Sequence, residues 1–284
     1  MKRNTLSTII VTLVIVVGLG LLLYPTVADY VNSLAYRRAI SRFQSRVEEL
    51  DEQTYEDLLV SAREYNERLA ASGASVVRQL DEDELAEYES LLDFTGTGIM
   101  GYVEVPKADI YLPVYHGTGD AVLQSGVGHL EGSSLPIGGE NTHSVLSAHT
   151  GLPSAKLFTN IDQLAEGDIF TVRVLREQLT YEVDQILVVL PHEVESLRIE
   201  EGQDYCTLLT CTPYGVNTHR LLVRGHRIPN PEPEEETDEP QSAVDTGREG
   251  LHTEFIPVAM MLLGAVSLAV RRRRRKRKES GPAA

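Results

Sequence analysis

The stretch Tyr205-Cys206-Thr207-Leu208-Leu209-Thr210-Cys211-Thr212-Pro213-Tyr214-Gly215-Val216-Asn217-Thr218-His219-Arg220 decides how the chain is read. Tyr205 to Cys211 is apolar and β-prone, Thr212 to Thr218 is rich in turn residues, and a second β-rich run goes from Arg220 to Arg227. If the two runs form a hairpin, Cys211 and Arg220 flank one loop and can face one pocket. A strand end opening onto a loop is where a rigid scaffold presents a reactive group. The chain has two cysteines, Cys206 and Cys211, too few for a disulfide-stapled scaffold. On a strand, five residues span about 16 Å, whereas a disulfide needs Cα atoms within about 7 Å. Their odd spacing also puts them on opposite faces. At least one thiol is therefore expected to be free. Cys206, mid-strand among apolar neighbours, reads as a packing residue.

Working outward, short β-rich runs recur from Gly98 onward: Ile99 to Val105, Ile110 to Tyr115, Ser144 to Ser147, Ile169 to Val174 and Leu179 to Leu190, with Gly, Pro, Asn and Asp between them. Seven or eight short strands with few helices predict a mainly β domain, a closed barrel or a sandwich. Short helices are expected around Ala121 and around Ser154 to Gln163. Upstream, Tyr30 to Ser72 reads as helix, with Val31, Leu34, Phe43, Val47, Leu50, Leu58, Leu59, Ala62, Tyr65 and Leu69 near helical spacing. Asp51 to Thr54 is a plausible break and N-cap. These helices either pack on the domain or form a stalk. Pro229 to Gly250 is an acidic, Pro-rich linker without large apolar residues, too polar to bury a core.

His149 ends the run Ser144-Val145-Leu146-Ser147-Ala148-His149 and opens onto Thr150-Gly151-Leu152. With eight histidines in the chain, one alone is more often incidental. His143 could share its face, but only His149 lies at the exit of the run. A neighbouring imidazolium lowers the thiol pKa from about 8.5 and makes a better nucleophile. Arg220 brings a permanent charge and five donors, suited to an oxyanion or a substrate carbonyl. In so acidic a chain, a surface ion pair is its competing use. No Cys-x-x-Cys or His-Glu-x-x-His spacing occurs, so no metal site is expected.

The formal net charge is −16, but it is unevenly placed. Ten of the 26 Lys and Arg lie at the ends, as Lys2, Arg3 and the run Arg271 to Lys278. In the stretch between, 16 basic residues face 41 acidic ones, a balance of −25. Such a surface does not seek nucleic acid. Thr5 to Tyr24 is twenty residues without a charge, long enough to span a hydrocarbon core, and Lys2 and Arg3 before it orient the N-terminus toward the cytoplasm. A cleaved signal peptide is the competing reading, with Thr26 and Ala28 near a cleavage point. Phe255 to Val270 is a second uncharged run, of sixteen residues, and eight consecutive basic residues follow it as a stop-transfer signal. Both ends inside would leave everything between them on the extracellular face of the plasma membrane, a two-pass arrangement.

These residues resemble a known family. Thr207-Leu208-Leu209-Thr210-Cys211 is similar to the sortase signature Thr-Leu-x-Thr-Cys, and with Thr212 to Leu221 it resembles the class C, pilus-assembling sortases. Gly101 to Pro106, Tyr115 to Thr118, Gly126 to Gly132 and His143 to Phe158 are similar to that class too, so the resemblance runs from about Gly98 to Pro229. It implies a closed eight-stranded β-barrel with short and N-terminal helices, flanked by two transmembrane helices. It also implies a cysteine transpeptidase. Cys211 would attack the Thr–Gly bond of a Leu-Pro-x-Thr-Gly-like sorting signal, and a pilin lysine amine would resolve the thioacyl intermediate. His149 would act as general acid and base, and Arg220 would hold the oxyanion or the substrate. No cofactor is implied. The partners would be pilins or surface proteins with such signals, and the lipid bilayer.

The expected organisation is an N-terminal anchor or signal peptide (1–28), a helical stalk and lid region (29–97), a catalytic barrel (98–229), a linker (230–253), a second transmembrane helix (254–270) and a basic cytoplasmic tail (271–284). One departure from class C concerns its lid, which usually carries an Asp-Pro-aromatic motif over the active site. Val77 to Tyr88 holds no Asp-Pro pair, and Asp93-Phe94 lacks the proline, so the lid is expected to be altered or absent. A sorted surface protein is the first competing function, but no Leu-Pro-x-Thr-Gly motif precedes the C-terminal apolar run. The others are a catalytically silent pilus-base scaffold, disfavoured by intact His149, Cys211 and Arg220, and a housekeeping sortase attaching surface proteins to cell-wall peptide.

Overall fold

A computed structural model describes residues 2–73 and 80–231. Eight strands form a closed barrel: β1 (Ile99–Val105), β2 (Ile110–His116), β3 (Val127–His129), β4 (Thr142–Ser147), β5 (Ile169–Val174), β6 (Glu177–Val189), β7 (Asp204–Thr212) and β8 (His219–Ile228). The order around the barrel is β1-β2-β3-β4-β7-β8-β6-β5, closed by an antiparallel β1–β5 pair. Pairs β2–β3 and β4–β7 are parallel and the others antiparallel. Closure leaves no open edge, which suits a domain with so many short strands. Of the barrel and sandwich expected from the strand pattern, the barrel is the one formed.

The interior is filled by aliphatic and aromatic side chains that alternate inward, among them Val103, Leu146, Phe170, Val172, Leu208 and Val223, each at most 1% exposed. Phe170 and Tyr181 stack at 5.4 Å and 18°. A Cβ on Gly225 would lie 2.7 Å from the Phe170 ring and 2.9 Å from Tyr181 Cβ, so β8 passes this ring pair only as glycine. Strand β3 was not legible in the sequence, because three residues, one of them glycine, are too few to alternate. The helix expected over Ser154 to Gln163 reduces to a 3-10 turn at Ile161–Gln163. Leu157 has φ 43°, outside the right-handed helical region, and Phe158 N–H turns back to the His149 carbonyl at 3.1 Å.

Three helices precede β1: α1 (Lys2–Glu48), α2 (Glu52–Ser72) and α3 (Glu82–Ser90); α4 (Asp120–Ser125) follows β2. The break falls where Asp51 invites it: its side chain caps α2 by accepting from Thr54 N–H at 3.0 Å. Gly73 closes α2 with φ 57°. Helix α2 buries Tyr55, Leu59, Ala62, Tyr65 and Leu69 against the barrel core, and α1 packs Ile40, Phe43 and Val47 with Ile99 and Tyr102 of β1. The helices thus lie on the barrel. Val31, expected on the apolar face, is exposed, while Tyr36 and Ile40, not expected there, are buried.

Helix α3 lies within the expected lid region. Its capping box joins Asp81 and Glu84, and Tyr88 on its far side is wholly buried. His129 Nε2 faces the Ser134 carbonyl at 2.8 Å and must donate there, so Nδ1 accepts from the Tyr88 hydroxyl at 2.9 Å. Gly117 N–H donates to the same hydroxyl at 3.0 Å. Burial pushes the His129 pKa down to about 4, and the ring is neutral.

The portion of α1 from Ile10 onward contains a stretch long and apolar enough to cross a membrane, with mean hydropathy 2.4 and none of it buried. The second expected span, Phe255 to Val270, the linker beyond Pro231 and the basic tail lie outside the described residues.

Candidate active site

The site is assembled by register. In the β7–β8 hairpin Cys211 pairs with Arg220 and Thr212 with His219. Residues directly opposite on antiparallel strands share a face, so the thiol and the guanidinium leave the sheet on the same side. The loop between them is pinned by Val216 N–H and Asn217 N–H, which both donate to the Pro213 carbonyl, at 3.0 and 2.9 Å. Asn217 has φ 61°, a left-handed conformation that asparagine tolerates. The Arg220 guanidinium folds back to donate to the His219 carbonyl at 3.1 Å.

His149 arrives from the other side of β7. The parallel β4–β7 ladder pairs His143 with Tyr205 and ends at Ser147 with Leu209. Ala148 continues it, donating to the Leu209 carbonyl at 3.1 Å while its own carbonyl accepts from Thr210 Oγ1 at 2.7 Å. Continued two residues past Ser147, the same register would set His149 level with Cys211. Thr210, which the sequence offered only as part of a signature, is therefore a buried clasp between the two strand ends. His149, Cys211 and Arg220 are all half-buried, enough to be held and open enough to be reached.

The loop after His149 doubles back. Besides the His149–Phe158 bond, Gly151 N–H donates to Thr159 Oγ1 at 3.1 Å. Gly151 has φ 75°, and a Cβ there would lie 3.1 Å from the Tyr214 ring. The histidine loop and the cysteine loop therefore touch through Tyr214 and Gly151. Nothing in the sequence alone signals that contact, because it joins two turns far apart in the chain.

The neighbouring pair differs. Cys206 is wholly buried and burial pushes its thiol pKa well up. His143 is also enclosed: Nδ1 donates to the Arg198 carbonyl at 2.8 Å and Nε2 accepts from Thr207 Oγ1 at 2.7 Å. Burial drives its pKa down to about 4, so it is a neutral structural ring. Both thiols are free. Among the described residues no group of three His, Cys, Asp or Glu side chains could hold a metal ion. In the lid region, Asp93 Oδ1 accepts from Thr97 N–H at 3.1 Å and Phe94 packs on Phe43 with centroids 5.5 Å apart. Both residues are engaged where the chain turns into β1. Residues 74–79 lie outside the described residues.

A family model for the sortase domain matches residues 103–228. Sortase C1 of Streptococcus agalactiae is 52% identical, with a TM-score of 0.66 over 68% of this chain and 100% of that one. The chain belongs to the sortase family. Sortases are cysteine transpeptidases, and class C enzymes are among the solved structures that it is similar to. Sortase C of Clostridium perfringens, solved with the C-terminal cell wall sorting motif, is 45% identical, with a TM-score of 0.60 over 68% of this chain and 98% of that one. Sortase D of Bacillus subtilis is 28% identical over 131 residues, 45% of this chain, and the match spans 63% of that relative's length.

Proposed function

We propose that this sortase is a membrane-anchored pilin polymerase of class C, acting on the extracellular face of the plasma membrane. The observation that carries the reading is Cys211 paired opposite Arg220, on the strand whose parallel neighbour leads to His149. The substrate is a protein with a Leu-Pro-x-Thr-Gly-like sorting signal. Cys211 Sγ adds to the threonine carbonyl carbon, and the Arg220 guanidinium steadies the oxygen as it becomes negative. The Thr–Gly C–N bond breaks, with a proton passing from His149 to the leaving amine. A thioester now holds the acyl group, so the bond energy is kept and no cofactor is called on. A pilin lysine amine then attacks, His149 takes its proton, the C–S bond breaks and an isopeptide bond remains. Nucleic acid has no part in this.

The apolar end of α1 is the anchor in this reading, with the C-terminal apolar run as a second one. The similarity to class C enzymes favours a lysine acceptor over cell-wall peptide. The test is a competition. The full chain, in nanodiscs, receives a sorting-signal peptide with both a lysine-bearing pilin-type acceptor and a cell-wall-type amine. A product joined through the lysine side chain is expected. Exclusive transfer to the cell-wall amine would replace the reading with a housekeeping role, and no transfer to either would leave a silent scaffold.

A further inference from the structure

The buried face of α1 runs back from Val47 through Phe43 and Ile40 to Tyr36, in steps of four, three and four residues. Steps of four and three more reach Asn32 and Asp29 on the same face. There the helix has left the apolar core, and both side chains are half-buried against the loop that follows His149. Asn32 Nδ2 donates to the Ser154 carbonyl at 2.9 Å. Asp29 Oδ1 accepts from Lys156 N–H at 2.8 Å, with Lys156 Nζ 3.8 Å from Oδ2. The loop they hold is closed at its base by the His149 carbonyl and Phe158 N–H, and is pinned inside by Ala155, Leu157 and Phe158.

We propose that Asp29 and Asn32 are positioning residues for His149, so that the helix carrying the membrane anchor also sets the pose of the acid–base group. This rests on the function proposed above. A loop closed at one end by the histidine's own carbonyl and at the other by a rigid helix leaves the ring few ways to drift. Proton transfer to a leaving amine tolerates little drift, since displacement by about 1 Å can cost a hundred-fold in rate. The pair begins five residues after Tyr24, about 7.5 Å of helix. With the apolar end of α1 as the anchor, that places the histidine loop beside the bilayer surface.

The test uses the full chain in nanodiscs and compares D29A, N32A, N32D and D29N with the native protein, with R46A as a control on the exposed side of α1. D29A and N32A should lower kcat by roughly ten- to a hundred-fold, with KM and the rate of Cys211 alkylation by a small thiol reagent within about two-fold. N32D sets a carboxylate against the Ser154 carbonyl and should fall furthest. D29N keeps an acceptor for Lys156 N–H and should recover most of the native kcat. Hydrogen exchange over residues 149–158 should quicken in D29A and N32A and not in R46A. A kcat in D29A and N32A equal to native would overturn the proposal, as would equal losses of kcat, alkylation and melting temperature, the mark of general unfolding. A native chain that turns nothing over would sink the functional reading and this one with it. A native chain that works while all the variants match it would sink only the positioning role.

Discussion

A histidine and a cysteine occur twice along the course of β4 and β7, once inside the ladder and once beyond its last pair, and the two sets differ in burial. His143 and Cys206 lie within the strands, fully buried, the ring neutral between the Arg198 carbonyl and Thr207 and the thiol pushed toward its protonated form. His149 and Cys211 lie where the same strands run out, half-buried and facing loops. Residue type alone does not distinguish the pairs; depth along the ladder does. Burial that disfavours charge suits the inner pair to packing, and the outer pair, half-buried beside loops, is the one that solvent and a substrate can reach.

Several substitutions break or sharpen this comparison. The largest effect is expected from the thiols: C211A should reduce transpeptidation by at least about a thousand-fold, while C206A should keep native kcat and lose only stability, as read from turnover and thermal melting. Exchanging those outcomes would overturn the comparison. Next, R220A should lower kcat by roughly a hundred- to a thousand-fold, the usual cost of removing an oxyanion donor. In steady-state kinetics with a sorting-signal peptide, a change confined to KM would instead make Arg220 a ground-state binding residue.

The inner histidines predict an acid-labile fold. His129 and His143 have folded pKa values of about 4 against an ordinary 6.5. Above pH 6.5 both folded and unfolded chains are neutral at these rings, so their contribution is constant. As the pH falls toward 4 the unfolded chain takes up protons that the folded one refuses, costing roughly 3 kcal/mol per ring. Urea midpoints measured at pH 7.5 and pH 4.5 should differ accordingly, and a flat profile would mean that the rings reach solvent. Smallest, T207V removes the donor to His143 Nε2 and should cost about 1–3 kcal/mol without altering kcat.

Much of this was legible before the structure. The edges of β1 and β5 follow directly from β-branched runs bounded by Gly, Pro and Asp, and the α1–α2 break follows from the capping chemistry of Asp51. The Cys211–Arg220 pairing was legible because a hairpin is local: one loop sets the register. His149 is a different case. Its alignment with Cys211 depends on a parallel pairing across some sixty residues, which spacing cannot give, and only the family resemblance suggested it. Strand β3 and helix α3 are not legible in the sequence, because three residues carry no period and because a run of acidic residues hides the one buried ring, Tyr88. The polar pair Asp29 and Asn32 carries no signal in the sequence, because it lies between the apolar run that ends at Tyr24 and the apolar face that packs on the barrel. Its role is visible only once the helix face is followed into the barrel.

The most direct test of the central claim is intact-protein and peptide mass spectrometry of the full chain after incubation with a Leu-Pro-x-Thr-Gly peptide. A thioacyl adduct confined to the peptide containing Cys211, and missing from C211A, is the predicted result. An adduct on Cys206, or one that persists in C211A, would contradict it.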